Sequence, residues 1–239
     1  MIGSFIAFPR TPHLGGSAGS GDDDAVVDAL PRLGDGQLFV VEEKLDGANV
    51  SVHFASEATR WQPVLQKRSG LIEAGERFAQ FDVFRDFVFE RLETLWELLR
   101  DRYVLFGEFL FATHAVAYDR LPDLLLAFDV FDKQTQRFLA RERVEAMLSG
   151  SGLHQVPLLQ RGGELTRERL LELSEQTSLF GGEKREGVYV RIEADGFVVD
   201  RYKFRRHNFV PGAAEFGRDH RGRNQIASSS SSEADSSEA

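Results

Sequence analysis

The chain has 239 residues, a formal net charge of −9 and no cysteine. This length is enough for a hydrophobic core, while the lack of cysteine excludes disulfides and thiolate metal sites and favours a reducing compartment, which we expect to be the cytoplasm. The negative charge argues against a uniformly basic nucleic-acid binder, and no apolar run approaches the roughly 20 residues of a membrane span, so we expect no membrane association.

The first half of the chain predicts a loop, three strands and one long helix. Residues 14–25 contain the glycines, serines and acids that are typical of a loop. Apolar runs and alternation predict strands over 38–43, 48–54 and 62–67. Residues 77–99 carry apolar side chains at helical spacing, which predicts a single amphipathic helix that packs on the core.

The second half predicts further strands, two shorter helices and a hairpin. Strands are predicted over 103–111 and 124–131, and helices over 141–148 and 166–177. Residues 186–204 form two alternating runs around an Asp-Gly turn signal, which predicts a β-hairpin. Because strands outnumber helices without regular βαβ alternation, the predicted fold class is α+β with mainly antiparallel sheets.

The chain divides into a folded domain, residues 1–210, and a tail, residues 211–239, which is first basic and then rich in serine and acidic residues. Such a tail has too few apolar side chains to bury, so we expect it to be disordered. Around the boundary, seven basic side chains predict either a phosphate-binding patch or a solvated, flexible end. They are Arg201, Lys203, Arg205, Arg206, Arg218, Arg221 and Arg223.

A lysine lies in the polar break between the strands predicted at 38–43 and 48–54. The break reads Lys44-Leu45-Asp46-Gly47. Lysine is a poor nucleophile at neutral pH because its amine is protonated, but burial and nearby positive charge can lower its pKa. Taken alone, this stretch is more typical of a hairpin turn with a solvated lysine.

Five short motifs occur in the order that is found in covalent nucleotidyltransferases. KLDGAN (44–49) resembles the adenylation motif of ATP-dependent DNA ligases, RNA ligases and mRNA capping enzymes. The four others are FGE (106–108), LLLAFDVFD (124–132), EGVYVR (186–191) and RYKF (201–204). FPRTPHLGGS (8–17) and GEFLFATHAVAYDRLP (107–122) resemble a bacterial and phage family of RNA ligase 2-like enzymes. The resemblance covers about residues 5–210.

This resemblance implies an ATP-dependent RNA ligase with a nucleotidyltransferase fold, in which mainly antiparallel sheets flank a nucleotide pocket. In the family, a lysine attacks the α-phosphorus of ATP and forms lysyl–AMP with Mg²⁺ or Mn²⁺ as cofactor. AMP then passes to a 5′-phosphate RNA end, and a 3′-hydroxyl displaces it. DNA ligases and capping enzymes continue into an OB-fold domain, for which the residues after Lys203 are too few, so we expect none.

The resemblance also implies which residues carry the chemistry. Lys44 is the nucleophile, and Lys203 meets the α-phosphate and helps to keep Lys44 neutral. Glu108 and Glu186 contact the ribose or hold the metal, mostly through water, because Mg²⁺ usually keeps several waters. Asp46 supports the metal or a 3′-hydroxyl, with turn capping as its alternative role.

Further residues are implied to bind the nucleotide. Phe128 stacks on adenine, although a core position is the alternative in a chain with 20 phenylalanines. Arg68, or Lys67 if the register differs by one, holds a phosphate or the ribose. Asn49 contacts phosphate, and Glu43 reads the adenine amine through its backbone or its side chain.

Four positions carry weaker implications. Arg201 stands where the family's fifth motif usually has a lysine, and its retained charge is expected to serve phosphate binding. His13 and Ser17 belong to the N-terminal match without a fixed role. His114 is either a structural histidine or a substrate contact.

The expected substrates are nicked or broken RNA ends, as in RNA repair, with DNA ends as a further option. Many RNA ligases have an additional C-terminal domain that holds nucleic acid, and an accessory protein could replace it here. Two alternatives remain open at this point. The first is a partner-dependent or non-sealing module that binds nucleotide or RNA ends, and the second is a minimal DNA ligase.

Overall fold

A computed structural model of the chain describes residues 3–18, 25–57, 60–73, 75, 79–210 and 222–228. Within these residues the strands are β1 (His13–Leu14), β2 (Val26–Val27), β3 (Leu38–Lys44), β4 (Ala48–Glu57), β5 (Arg60–Lys67), β6 (Gly70–Leu71), β7 (Tyr103–Phe109), β8 (Leu125–Asp132), β9 (Arg137–Phe138), β10 (His154–Gln155), β11 (Leu158–Arg161), β12 (Gly187–Ala194) and β13 (Phe197–Arg205). The helices are α1 (Ala79–Glu90), α2 (Leu92–Leu99), α3 (Arg141–Leu148) and α4 (Arg167–Glu175).

The strands form two sheets. The first sheet has the order β11-β3-β12-β13-β1-β2, and the second has the order β10-β8-β7-β4-β5-β6, with β9 beside β8. The long strands pair antiparallel, whereas the short β1 and β10 pair parallel with their neighbours. These pairings confirm the prediction of a mixed α and β fold with mainly antiparallel sheets.

The predicted strands and the predicted hairpin are present. β12 and β13 form the hairpin, and its turn holds Asp195 at φ 54° and Gly196 at φ 79°. Backbone with φ in this range favours glycine and tolerates aspartate, which explains why the Asp-Gly signal identified the turn. Of the loop predicted over 14–25, residues 19–24 lie outside the described residues.

The single helix predicted over 77–99 is wrong, because the structure has α1 and α2 with a break at Arg91. Arg91 leaves helical geometry at φ −115° and ψ 20°. Its guanidinium lies 3.9 Å from the Phe87 ring centre and 3.3 Å from Asp123 Oδ2. The apolar spacing continues across the break, so the pattern alone could not reveal it. The first two positions of the prediction lie outside the described residues.

Each sheet packs one face on helices and turns the other face towards the opposite sheet. α1, α2 and α3 cover the second sheet with a core that includes Phe54, Phe84 and Phe109. α4 covers the first sheet through Leu170 and Leu173. Charged side chains lie between the inner faces, which we call the intersheet groove.

Part of the tail that we expected to be disordered packs on the folded domain. Residues 222–228 lie against the loop between β7 and β8, and Asn224 is only 8% exposed. Residues 211–221, with Arg218 and Arg221, and residues 229–239 lie outside the described residues. Among the helices that the structure describes, none is both long and apolar enough to cross a membrane.

Candidate active site

The Lys44 break connects the two sheets and does not close a hairpin. β3, which ends at Lys44, pairs with β11 and β12, whereas β4, which begins at Ala48, pairs with β5 and β7. Lys44 is paired in register with Gly187, so it lies beside Glu186 at the start of β12. Its Nζ donates to Glu186 Oε2 at 2.6 Å. The Lys44 side chain is 22% exposed and the Glu186 side chain 2%.

Two residues of the break are held in place by the second sheet and its loop. Asp46 Oδ2 accepts hydrogen bonds from the backbone N–H of Ala115 at 2.6 Å and of Val116 at 3.0 Å. The Asp46 N–H donates to the Tyr118 hydroxyl at 2.8 Å. A Cβ on Gly47 would lie 2.7 Å from the Phe109 carbonyl oxygen, so only glycine fits this close approach. The carboxylate of Asp46 is therefore fixed beside Lys44.

Glu108 and Asn49 are neighbours on adjacent strands of the second sheet. They are paired in register on β7 and β4, directly after the Lys44 break. Glu108 Oε1 accepts a hydrogen bond from the Gly47 N–H at 3.0 Å. The structure therefore brings together Lys44, Asp46, Glu108 and Glu186, which we predicted to carry the chemistry.

Arg205 also belongs to this group, although from the sequence we predicted it only as one of the seven basic residues around the end of the folded domain. Its Nε donates to Glu186 Oε1 at 2.8 Å, so each oxygen of Glu186 has a cationic partner. Strand alternation places Lys203 and Arg201 on the same inner face of β13 as Arg205. The lysine end of the groove is our name for a group of five residues that does not include Lys203 or Arg201: Lys44, Asp46, Glu108, Glu186 and Arg205.

Two carboxyls at the lysine end have raised pKa values. Burial raises the pKa of Asp46 to about 6 and that of Glu108 to about 7, and in each case the charge of Glu186 adds to the rise. Both cations, Lys44 and Arg205, contact Glu186, whereas Asp46 and Glu108 accept hydrogen bonds from backbone N–H groups. Such perturbed groups are typical of functional sites.

The pKa of Lys44 moves opposite to our expectation that nearby positive charge lowers it. Burial acts to lower this pKa, but Glu186 and Glu108 outweigh burial, and the pKa is raised. Arg205 also acts to lower it, as the smallest of these influences. In the structure as it stands, Lys44 is therefore a protonated, ion-paired lysine.

Glu43 lies on the opposite face of β3 from Lys44. Its backbone N–H donates to the Pro157 carbonyl, and its Oε2 accepts from the Leu179 N–H at 3.2 Å. The side chain is 1% exposed, and burial raises its pKa. Its role in reading adenine stays a prediction, and strand alternation directs its carboxyl away from the groove.

Phe128 occupies a bulge in β8. The register between β7 and β8 shifts at this point, so that Ala127 and Asp129, but not Phe128, have partners. The Phe128 carbonyl accepts a hydrogen bond from Arg191 Nη2. Its ring meets the Phe8 ring edge-on at 5.2 Å between centres. It is half-buried, so its stacking on adenine stays a prediction.

Arg201 lies further along the groove, in a second charged group. Its guanidinium lies 4.0 Å from the centre of the Phe138 ring and 3.4 Å from Asp129 Oδ2, and the residue is 8% exposed. We call this group the arginine end: Glu42, Asp129, Arg141, Arg191 and Arg201. Binding of phosphate by Arg201 stays a prediction.

Arg68 and Lys67 are placed at the edge of the second sheet. Lys67 is paired with Val50, next to Asn49, and its Nζ lies 5.5 Å from the Phe81 ring centre. Arg68 is exposed in the turn between β5 and β6. Their nucleotide contacts stay predictions.

The N-terminal match packs against β13. His13 is fully buried and paired in register with Lys203. Its Nδ1 lies 2.7 Å from Ser17 Oγ, which accepts a hydrogen bond from the Arg205 N–H at 2.9 Å. His114 is 8% exposed, in the loop that binds Asp46. No three metal-ligating side chains converge among the residues that the structure describes.

Solved structures with a similar fold include several of one RNA ligase. Naegleria gruberi RNA ligase with PPi is 24% identical with a TM-score of 0.57, covering 72% of this chain and 50% of that chain. A mutant with ATP and Mn is 21% identical with a TM-score of 0.52, covering 72% and 49%. A mutant with AMP and Mn is 21% identical with a TM-score of 0.52, covering 72% and 50%. The chain thus spans about half the length of these structures.

A comparison with curated protein sequences gave no match. A family model described as RNA ligase matches residues 37–205, which includes Lys44, Glu108, Glu186 and Arg205. The match covers more than half of the chain. The chain therefore belongs to the RNA ligase family.

Proposed function

We propose that the chain is the adenylation domain of an ATP-dependent RNA ligase, with a nucleotidyltransferase fold of the RNA ligase 2-like kind. The observation that carries the proposal is the lysine end itself, where Lys44 Nζ lies 2.6 Å from Glu186, beside Glu108 and Asp46, inside the family match. Both sheets hold the break that carries Lys44. A fixed position favours a nucleophile, because the rate of attack depends on its orientation.

The first step forms a bond between Lys44 Nζ and the α-phosphorus of ATP. The bond from that phosphorus to the oxygen bridging to the β-phosphate breaks, and pyrophosphate leaves. Because the pKa of Lys44 is raised in the structure, the amine must lose a proton before it attacks. Glu186 Oε2 already accepts a hydrogen bond from this amine, so we assign it the role of receiving the proton.

The carboxyls at the lysine end are suited to hold a divalent cation through water, since the described side chains do not converge for direct coordination. Asp46, Glu108 and Glu186 are hard oxygen ligands, and burial raises the pKa values of Asp46 and Glu108, with the charge of Glu186 adding to the rise. We propose that Glu108 and Glu186 hold Mg²⁺ or Mn²⁺ through water. When bound, such an ion neutralises charge on the phosphates.

The nucleotide is proposed to lie in the intersheet groove. Phe128 stacks on the adenine, and Lys203, Asn49 and Arg68 contact the phosphates or the ribose. Positive side chains on an inner face are suited to this role, because phosphoryl transfer depends mostly on positioning and charge neutralisation. Arg201 and Glu43 are secondary candidates, because both have buried partners in the structure.

In the later steps, AMP passes from Lys44 to the 5′-phosphate of an RNA end, and a 3′-hydroxyl displaces AMP to seal the strand. We propose nicked or broken RNA as the substrate and the cytoplasm as the compartment. The described basic residues Arg206 and Arg223 lie on either side of the residues that the structure does not describe. An accessory protein that adds RNA-binding surface is part of this proposal.

The test combines two assays on the purified protein. The protein is first treated with pyrophosphate to remove bound AMP, and then given Mg²⁺ and α-labelled ATP, with GTP as a control. Nicked RNA and nicked DNA duplexes follow. Label from ATP together with sealing of RNA supports the proposal. Label without sealing indicates the partner-dependent module, and sealing of DNA alone indicates a minimal DNA ligase. No label on the folded protein contradicts the proposed function.

A further inference from the structure

Residues 222–228, which we call the clasp, form a backbone ladder with the loop between β7 and β8. The Asn224 N–H donates to the Phe111 carbonyl at 3.1 Å, and the Gln225 N–H donates to the Tyr118 carbonyl at 2.9 Å. The Leu121 N–H donates back to the Gln225 carbonyl at 2.9 Å. The clasp therefore fixes both ends of the loop segment 110–121, which we call the acid-holding loop.

The side chain of Asn224 lies inside this loop and uses its full hydrogen-bonding capacity. Its Nδ2 donates to the carbonyl oxygens of Leu110 at 2.8 Å and Ala112 at 3.3 Å. Its Oδ1 accepts from the Thr113 hydroxyl at 2.9 Å and from the Tyr118 N–H at 3.0 Å. An amide offers two donors and two acceptor positions, and all four are satisfied here. Asparagine at this position thus specifies the path of the loop.

The same loop binds Asp46 from its other side. Ala115 and Val116 supply the two N–H groups that hold the Asp46 carboxylate. Tyr118 connects the two sides directly, because its N–H donates to Asn224 and its hydroxyl accepts from the Asp46 N–H. Two hydrogen bonds and one residue therefore separate Asn224 from the Lys44 break.

We propose that Asn224 is a positioning residue for the adenylation reaction. It acts through the acid-holding loop, which fixes Asp46 and with it the break that carries Lys44. The proposal rests on the proposed function. It assigns a part of the site to a segment beyond residue 205, where the family match ends.

Other contacts also hold the acid-holding loop, for example the buried Tyr118 and the Asp119 N–H, which donates to the Phe180 carbonyl, so loss of Asn224 should loosen the loop and leave it folded. Loops that connect strands open more readily than the strands themselves, because fewer buried contacts hold them. A displacement of about 1 Å at a reacting group can cost on the order of 100-fold in rate. Removal of the Asn224 amide should therefore slow the formation of lysyl–AMP without removing any group that touches ATP.

The test compares Asn224→Ala with Gln225→Ala in the full chain. Gln225 is the matched control, because it contributes backbone hydrogen bonds and its side chain is exposed. We expect Asn224→Ala to lower the rate constant of lysyl–AMP formation by ~10–100-fold, with a much smaller change in the KM for ATP. Gln225→Ala should match the unaltered protein in both quantities.

A second readout separates positioning from loss of the fold. Hydrogen exchange of the Ala115 and Val116 amides should become faster in Asn224→Ala, while the amides of β12 keep their protection. If Asn224→Ala does not fold, Thr113→Val carries the same test, because it removes only the hydroxyl that donates to Asn224. Thr113→Ser keeps that hydroxyl and should restore the rate.

The two proposals fail in different ways. An unaltered protein that forms no lysyl–AMP contradicts the proposed function. An unaltered protein that forms it, together with a folded Asn224→Ala variant of equal rate and unchanged exchange at Val116, overturns the role of Asn224 alone. The positioning role is equally overturned if Thr113→Ser is as slow as Thr113→Val.

Discussion

The two ends of the intersheet groove share strands β3 and β13 but differ in how their carboxyls are paired. At the arginine end, Arg191 is 1% exposed and bridges the sheets, donating to Asp129 Oδ1 at 2.6 Å and to Glu42 Oε2 at 2.9 Å. Arg141 adds a second cation to Glu42 at 2.6 Å. At the lysine end, Lys44 and Arg205 both contact Glu186. Both carboxylates of the arginine end thus contact arginines, whereas Glu186 is the one carboxyl of the lysine end with an ion pair among the described residues.

The difference shows how one groove can support both stability and chemistry. Burial acts against the charge of Arg191, but Asp129 and Glu42 outweigh it and raise its pKa, so this residue stays charged. At the other end, the pKa values of Asp46 and Glu108 are raised to about 6 and 7. Buried charges are tolerated when they are paired, whereas poorly paired ones are suited to bind a cation or to exchange a proton.

The largest expected effect is on activity, at the lysine end. Lys44→Ala should abolish labelling by α-labelled ATP, because it removes the proposed nucleophile. Its thermal unfolding temperature should change little, since Glu186 keeps its hydrogen bond to Arg205 and Lys44 is partly exposed. Retention of label on the denatured variant would contradict the assignment of Lys44.

The next effect is on stability, at the arginine end. Arg191→Met should lower the free energy of unfolding by about 3–5 kcal/mol, because it removes a fully buried guanidinium that contacts Glu42, Asp129 and the Phe128 carbonyl at once. Urea denaturation measures this loss. Arg205→Met at the lysine end is the matched control and should cost much less, because Lys44 still pairs with Glu186. Equal losses in both variants would remove the distinction between the two ends.

A third prediction concerns the residue between the two ends. Phe128→Ala should weaken ATP binding by about 1–3 kcal/mol, which is the usual worth of stacking between a base and an aromatic ring. Its carbonyl contact with Arg191 uses the backbone and survives the substitution. Phe131→Ala is the control, since Phe131 packs on Phe138 at 5.0 Å between ring centres. Similar ATP affinity in both variants would assign Phe128 to the core.

The smallest effect is a pH dependence of stability. Burial raises the pKa of Glu108 from 4.5 to about 7 and that of Asp46 from 3.8 to about 6. Between these limits the two carboxyls bind more protons in the folded protein than in the unfolded chain, so their contribution to stability falls as pH rises from 5 to 8. Glu108→Gln should reduce the fall in the free energy of unfolding between pH 5 and pH 8 by ~1 kcal/mol, after allowance for the partial exposure of Glu108 to solvent.

Chemical denaturation at pH 5 and pH 8 measures the slope. Asp132→Asn is the control, because Arg102 lowers the Asp132 pKa to about 2, so this carboxylate is charged at both pH values. Its loss should shift stability equally at pH 5 and pH 8. A slope that is the same with and without Glu108 would show that its carboxyl does not retain a proton in the folded protein.

The sequence predicted the strands and most of the lysine end, because the motif residues lie at strand ends with clear alternation. Lys44, Glu108 and Glu186 come from three strands, and only their resemblance to one family indicated that they meet. The register that places Gly187 beside Lys44 is a property of the sheet and has no local signal. The helix break at Arg91 was missed because the apolar spacing continues through it.

Other features of the site depend on contacts that are distant in the chain. Arg205 looks like one more basic residue near the tail until β13 brings it to Glu186. The direction of the Lys44 pKa shift depends on two carboxyls from other strands. Asn224 lies in a segment whose composition indicates disorder, and its burial follows only from the fit of its amide into the acid-holding loop. No pattern around Asn224 could have indicated this.

The assignment of Lys44 as the nucleophile is tested most directly by mass spectrometry of the protein after incubation with ATP and Mg²⁺. Digestion under conditions that preserve the phosphoramidate, followed by fragmentation, locates AMP on a single side chain. We predict AMP on Lys44, with none in Lys44→Ala and none on Lys203 in either protein. AMP on a different lysine, or a folded protein that never acquires AMP, would show that Lys44 is not the nucleophile.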